Sequence, residues 1–138
     1  MKEPLKLLKW SLGIMYCWFG VLKFFPGLSP AEQLAGMTIE TICCHIIPAS
    51  FAVKLLAVFE TAIGLSFFLL RPGRLLFYAF TIHIIGTFVP LFLFPEICFK
   101  NAPFVFTIVG QYIVKNLLFI VVAIMMHQEL KQVTQTTT

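Results

Sequence analysis

Charge is what this 138-residue chain has least of: Asp, Glu, Lys and Arg make up 12% of it, against 59% hydrophobic residues that include sixteen Phe. A soluble domain of this size would struggle to keep so much apolar surface out of water, which points to a membrane protein. Polar stretches are equally scarce. Four apolar runs leave room only for short connections and a polar tail over 127–138, so no soluble catalytic domain is attached. There is no Cys-x-x-Cys, the signature of thioredoxin-type exchange. No glycine fingerprint is present, and His45, His83 and His127 form no obvious axial pair, so haem, flavin and iron–sulfur clusters have no visible seat.

What is present is a single all-α domain: a four-helix transmembrane bundle with spans at about 5–25, 50–70, 74–94 and 104–126. Each run is close to the ~20 residues that cross the hydrocarbon. The net charge of +4 does not indicate nucleic acid, because the basic residues are scattered around the apolar runs. They follow membrane topology instead. Lys2, Lys6 and Lys9 precede or begin the first span, Arg71 and Arg74 flank the turn between the second and third, and Lys131 follows the fourth. Under the positive-inside rule both termini are cytoplasmic. A cleaved signal peptide over 1–25 fits less well, since the run is long and no small-x-small site follows it. Pro72-Gly73 makes spans two and three an antiparallel hairpin.

The two outer connections differ in kind. Ser29 as N-cap, Pro30 at the first helical position and Glu32 completing a capping box predict an amphipathic helix over 30–46. Ala35, Ile39, Ile42, Cys43 and Ile46 share one face, so this helix lies in the outer interface and lids the bundle. The connection over 95–103, with Glu96, Cys98 and Lys100, reads as a short irregular loop.

Three ionisable residues, Glu60, His83 and Lys115, fall within a turn or so of the bilayer midplane at ~1.5 Å per residue. A charge at that depth costs about 2.5–3.5 kcal/mol on the insertion scale, so such groups face one another or a polar cavity. Small and polar residues form a stripe on every span: Gly13, Cys17, Gly20 and Lys23; Lys54, Ala57, Thr61 and Gly64; His83, Gly86, Thr87 and Pro90; Thr107, Gln111 and Lys115 beside Asn116. These stripes suit close helix packing, and Glu60 with Lys115 can be read as a buried pair that only fixes register. The functional reading is a ligand pocket opening outward, with Lys23 and Lys54 at its mouth and Glu60, His83 and Lys115 at its floor; Gln111 and Asn116 are further ligand-binding candidates. A cationic mouth favours an anionic or carbonyl-bearing ligand, and the floor can exchange protons with it.

The cysteines allow a second line of chemistry. Topology places Cys43, Cys44 and Cys98 on the outer side. A bridge from Cys98 to Cys43 or Cys44, free thiols, and a strained Cys43–Cys44 disulfide suited to redox exchange all remain open. Cys43-Cys44-His45 is a weak metal signal without a second ligand cluster, and no metal site is assigned.

The run from Trp18 to Gly27, with Ser29-Pro30-Ala31-Glu32 and Leu34-Ala35 after it, resembles the DoxX-like membrane proteins of bacteria. So do Glu60 with Gly64, the stretch His83 to Pro90 with Phe94-Pro95-Glu96 and Phe99, and Gly110-Gln111-Tyr112-Ile113-Val114-Lys115-Asn116. The resemblance covers nearly the whole chain; it implies a four-helix inner-membrane protein and a subunit role in a membrane redox or oxidative-stress assembly, of the thiosulfate:quinone kind. Positions matching the family pattern are Gly20, Lys23, Glu60, Gln111, Lys115 and Asn116; none carries a catalytic role to transfer. Three functional classes follow. One is a redox-associated subunit that binds a quinone or small sulfur compound and needs a membrane or periplasmic partner protein. The second is a transporter or lipid-binding protein without redox change, acting as a homo-oligomer if access alternates. The third is a structural partner of another membrane protein.

Overall fold

A computed structural model describes residues 3–29, 31–69 and 73–136, the side chains of 129–136 excepted. The chain is mostly helical and divides into two compact units, Met1–Arg71 and Pro72–Thr138. Four helices are long and apolar enough to cross a membrane: Glu3–Leu22, Ala49–Leu69, Arg74–Leu93 and Ile108–Gln128. Lys2, Pro30, Leu70, Arg71 and Pro72, used above for topology, capping and the inter-span turn, lie outside the described residues, as does the side chain of Lys131.

The first unit holds α1 (Glu3–Leu22), α2 (Glu32–Ile42) and α3 (Ala49–Leu69). Helices α1 and α3 pack antiparallel through the stripes read from the sequence. A methyl group at Gly20 would come within 2.7 Å of the Thr61 backbone nitrogen, and one at Gly64 within 2.5 Å of the Cys17 nitrogen. Each helix therefore presents a glycine to the other's main chain, a separation that small residues allow. Gly13 meets the Phe68 ring, and Tyr16 and Phe67 make an edge-on aromatic contact at 6.3 Å.

This register offsets the two helices. Gly20 lies level with Ala57 and Thr61, so α1 ends about 12 Å short of the start of α3, at 1.5 Å per residue. Three successive i→i+3 bonds, from the N–H groups of Lys23, Phe24 and Phe25 to the carbonyls of Gly20, Val21 and Leu22, close the helix. Pro26 cannot extend it, and Gly27 turns the chain at φ +83°. Helix α2 covers the part of α3 that α1 leaves bare, with Gly36 against Ala49 and Val53.

Helix α2 departs from expectation at both ends. It begins at Glu32 with no side-chain cap, and the Glu32 carboxylate accepts the Gly27 N–H at 3.0 Å in place of the capping box. Ser29 is buried, its carbonyl spent on the Glu32 N–H in the preceding turn. The helix stops at Ile42 instead of 46, because Cys44 and His45 take left-handed φ values of 51° and 60°. The residues it buries are Leu34, Gly36 and Thr38; the predicted apolar face leaves Ile42 and Ile46 exposed.

The second unit holds α4 (Arg74–Phe88), α5 (Pro90–Leu93), α6 (Pro95–Cys98), β1 (Phe99–Asn101), β2 (Val105–Phe106), α7 (Ile108–Val114) and α8 (Leu117–Thr136). Pro90 has no N–H to continue α4, so the Gly86 carbonyl takes its bond from Val89 instead. The connection expected to be irregular is ordered. Antiparallel β1 and β2 pair Phe99 with Phe106, whose rings lie 4.7 Å apart, so the fold is not purely α. Thr107 caps α7, accepting the Gly110 N–H at 3.1 Å and donating to the Ile97 carbonyl at 2.7 Å. The fourth apolar run is broken at Lys115-Asn116, where Asn116, Leu118 and Phe119 make i→i+3 bonds. Helix α8 then continues through the segment read as a polar tail. Helices α4 and α8 meet through Phe80 and Phe119, edge-on at 6.4 Å.

Gly64→Ala is expected to destabilise the protein by about 1–3 kcal/mol through overpacking against Cys17. Gly86→Ala, where a methyl meets nothing within 4 Å, leaves stability unchanged or slightly raised. Thermal unfolding of both variants in detergent, followed by circular dichroism, checks this; equal midpoints would contradict the α1–α3 crossing.

Candidate functional site

The polar centre of the first unit forms where α1 runs out. Glu60 is the twelfth residue of the 21-residue α3. Lys23 follows directly on the last residue of α1, and its ammonium meets the Glu60 carboxylate at 2.6 Å. Both side chains are buried, 7% and 8% exposed. The same ammonium donates to the Phe19 carbonyl at 3.4 Å, the group whose usual i+4 donor, the Lys23 N–H, is bonded to Gly20. Lys23 therefore caps the C-terminal end of α1 while neutralising the carboxylate, and cations are favoured at that end of a helix dipole.

Three further groups surround the pair. Tyr16, two helical turns back from Lys23 on the same stripe, is buried. The Cys17 thiol faces the Thr61 carbonyl at 4.0 Å. The Thr61 hydroxyl is buried with no hydrogen-bond partner among the described residues. Gly20 directs a Cα–H toward it, a weak donor at best. The ion pair thus sits in a low-dielectric seam with an under-satisfied hydroxyl one residue away on α3.

The sequence-predicted residues are distributed differently from the expected mouth and floor. Lys23 joins Glu60 instead of standing apart at a mouth, because the offset of α1 brings its end to the middle of α3. Lys54 is exposed, six residues before Glu60 and about a third of a turn away around α3. His83, Gln111, Lys115 and Asn116 belong to the second unit. His83 is half-buried on α4 and Gln111 exposed on α7. Lys115 is exposed, its ammonium 3.5 Å from the Tyr112 ring centroid, a cation–π contact. Asn116 donates to the Thr87 hydroxyl at 3.1 Å, and Thr87 donates to the Ile84 carbonyl at 2.6 Å, so these two tie the break before α8 to α4. The ammonium partner described for Glu60 is thus Lys23. Tyr16 was missed by sequence reasoning, although its spacing of four to Gly20 and seven to Lys23 places it on the same stripe.

All four cysteines are free thiols in this structure. Cys98 is fully buried at the end of α6, its thiol directed at the Pro90 carbonyl at 3.6 Å. Burial, and secondarily the Glu96 charge, push this thiol above the usual cysteine range.

No protein-family model, no curated protein and no solved structure matches the chain.

Removing one member of a buried ion pair leaves the other uncompensated, at a cost of about 3–5 kcal/mol, whereas replacing both by apolar residues recovers much of it. Lys23→Met and Glu60→Met are each expected to destabilise the first unit strongly, and the double variant to be more stable than either. A double-mutant cycle on unfolding free energies in detergent reads the coupling. Additive losses would show that the two groups do not interact.

Proposed function

We propose that this chain is a multi-pass protein of a bacterial inner membrane, with both termini cytoplasmic. In this reading its first unit binds the polar head of an otherwise apolar, carbonyl-bearing ligand of the quinone class, as a subunit of a membrane redox or oxidative-stress system. The observation that carries the reading is the buried Lys23–Glu60 pair. Glu60 lies about 16 Å along an α3 long enough to cross ~30 Å of hydrocarbon, which puts the pair near mid-depth. Charged groups there are costly and are retained for pairing or function. The overhanging start of α1, with exposed Glu3 and Lys6 paired to each other, then falls in the cytoplasmic headgroup layer.

The chemistry suits a quinone head. An ammonium has three protons, and two acceptors are described for that of Lys23, the Glu60 carboxylate and the Phe19 carbonyl. The third proton is the donor offered to a ligand carbonyl. Glu60 is the base that accepts a proton from the hydroxyl of the reduced form, with Lys23 balancing its charge. The ligand's tail needs no dedicated seat, since exposed Trp18, Val21 and Phe24 around the end of α1 already present apolar surface. A membrane or periplasmic partner protein supplies the electron chemistry. The reciprocal glycine contacts beside the pair favour a second reading, in which the pair only locks the register of α1 on α3.

The two readings part on bound ligand. The protein purified from bacterial membranes in mild detergent is expected to carry quinone, detected by mass spectrometry of the organic extract. Losing a charge-assisted hydrogen bond of about 1.5–3 kcal/mol lowers quinone content tenfold or more in Lys23→Met and Glu60→Gln. Variants that stay folded and retain wild-type quinone, or a wild type with no more than an unrelated membrane protein carries, would contradict the proposal.

A further inference from the structure

The turn that ends α2 carries two adjacent cysteines whose chemistry the buried pair does not use. Cys43 closes the helix at φ −83°, and the chain then leaves it through two consecutive left-handed residues, Cys44 and His45. Three backbone bonds hold this turn: the N–H groups of Cys43, Cys44 and His45 donate to the carbonyls of Ile39, Thr41 and Glu40 at 2.9, 3.1 and 2.8 Å. Side chains with a Cβ avoid this region, so the conformation persists because its surroundings impose it. Both thiols are free, Cys44 exposed and Cys43 half-buried. The other two cysteines differ: Cys98 is fully buried, and Cys17 lies in the α1–α3 seam against Gly64.

We propose that Cys43 and Cys44 form a vicinal dithiol that reduces a disulfide-bearing ligand by thiol–disulfide exchange. Cys44, the exposed thiol, loses its proton to solvent, and its thiolate attacks one sulfur of the ligand disulfide. A mixed disulfide forms, and the first ligand sulfur leaves as a thiolate. Cys43, deprotonated in turn, attacks the Cys44 sulfur, closing an S–S bond between the neighbours and expelling the second ligand sulfur. Two electrons and two protons pass to the ligand, and the dithiol becomes a disulfide. The geometry makes the product labile. Adjacent α-carbons are about 3.8 Å apart, below the usual 4.4–6.8 Å of disulfides, so the ring through the intervening peptide is strained and readily reduced again. The strain makes this dithiol a weaker reductant, so the exchange runs forward against a disulfide-bearing ligand in excess, and the bond formed is readily reopened where an unstrained one would staple.

The test uses the full chain in detergent micelles, reduced, freed of reductant and exposed to oxidised glutathione, then quenched by alkylation and weighed intact with peptide mapping. Wild type is expected to lose two hydrogens between Cys43 and Cys44, to retain no glutathione, and to leave Cys17 and Cys98 unoxidised. Cys43→Ser, lacking the second thiol, traps glutathione on Cys44. Cys44→Ser reacts at least tenfold more slowly. Because all three proteins are read by mass at named residues, a misfolded variant is recognised by modification at Cys17 or Cys98, and the wild-type result then decides alone. Wild type that keeps glutathione on Cys44 with Cys43 alkylated, or that reacts at neither residue, would overturn the proposal.

Discussion

The ion pair between Lys23 and Glu60 sets the geometry of the first unit. It joins the end of one helix to the middle of another, and that offset has consequences in both directions along the chain. Toward the N-terminus, the charged start of α1 runs past the end of α3. Toward the C-terminus, α3 is left with a bare first stretch that α2 covers through Gly36. The glycines at 20 and 64 permit the close approach, and the pair gives it a direction, since sliding α1 by one turn would separate the charges and strand both in an apolar seam.

Much of this was legible in the sequence. Four apolar runs match the four long helices to within a few residues at most of their ends, because hydropathy over a window reports burial or lipid exposure directly. The stripes Gly13-Cys17-Gly20 and Ala57-Thr61-Gly64 also read correctly as a packing surface, since helical spacing alone places them on one face. What did not follow was the register between them. A hydropathy window gives a helix its length but not its offset against a neighbour, so Lys23 was assigned a depth as if α1 and α3 were level. Backbone hydrogen bonding hid the rest. The pairing of Phe99 with Phe106, the break at Lys115-Asn116 and the left-handed Cys44 and His45 each depend on where carbonyls find donors, which residue type signals only weakly. The capping box at Ser29 to Glu32 shows the converse: a strong local pattern lost to the turn at Gly27, which claimed the Glu32 carboxylate.

Two chemistries emerge at separate places in the first unit. The buried pair sets an ammonium against a carboxylate in a dry setting, where binding of a quinone-class head is proposed. The turn after α2 holds one exposed and one half-buried thiol, the pair proposed to exchange with a disulfide-bearing ligand from water. In the second unit, Asn116 and Thr87 link the two interrupted helices, and a hydrogen bond between side chains at such breaks satisfies polar groups that lipid would leave bare.

The most direct test of the account is whether the carboxylate and ammonium touch in a membrane. Solid-state magnetic resonance on protein in lipid bilayers, with the Lys23 side-chain nitrogen and the Glu60 carboxyl carbon labelled, measures their dipolar coupling. The account predicts a strong coupling, consistent with the 2.6 Å nitrogen–oxygen contact, that disappears in Glu60→Gln. A wild-type coupling too weak for hydrogen-bonded neighbours would contradict it and remove the basis for the offset of α1 and for the ligand site built on it.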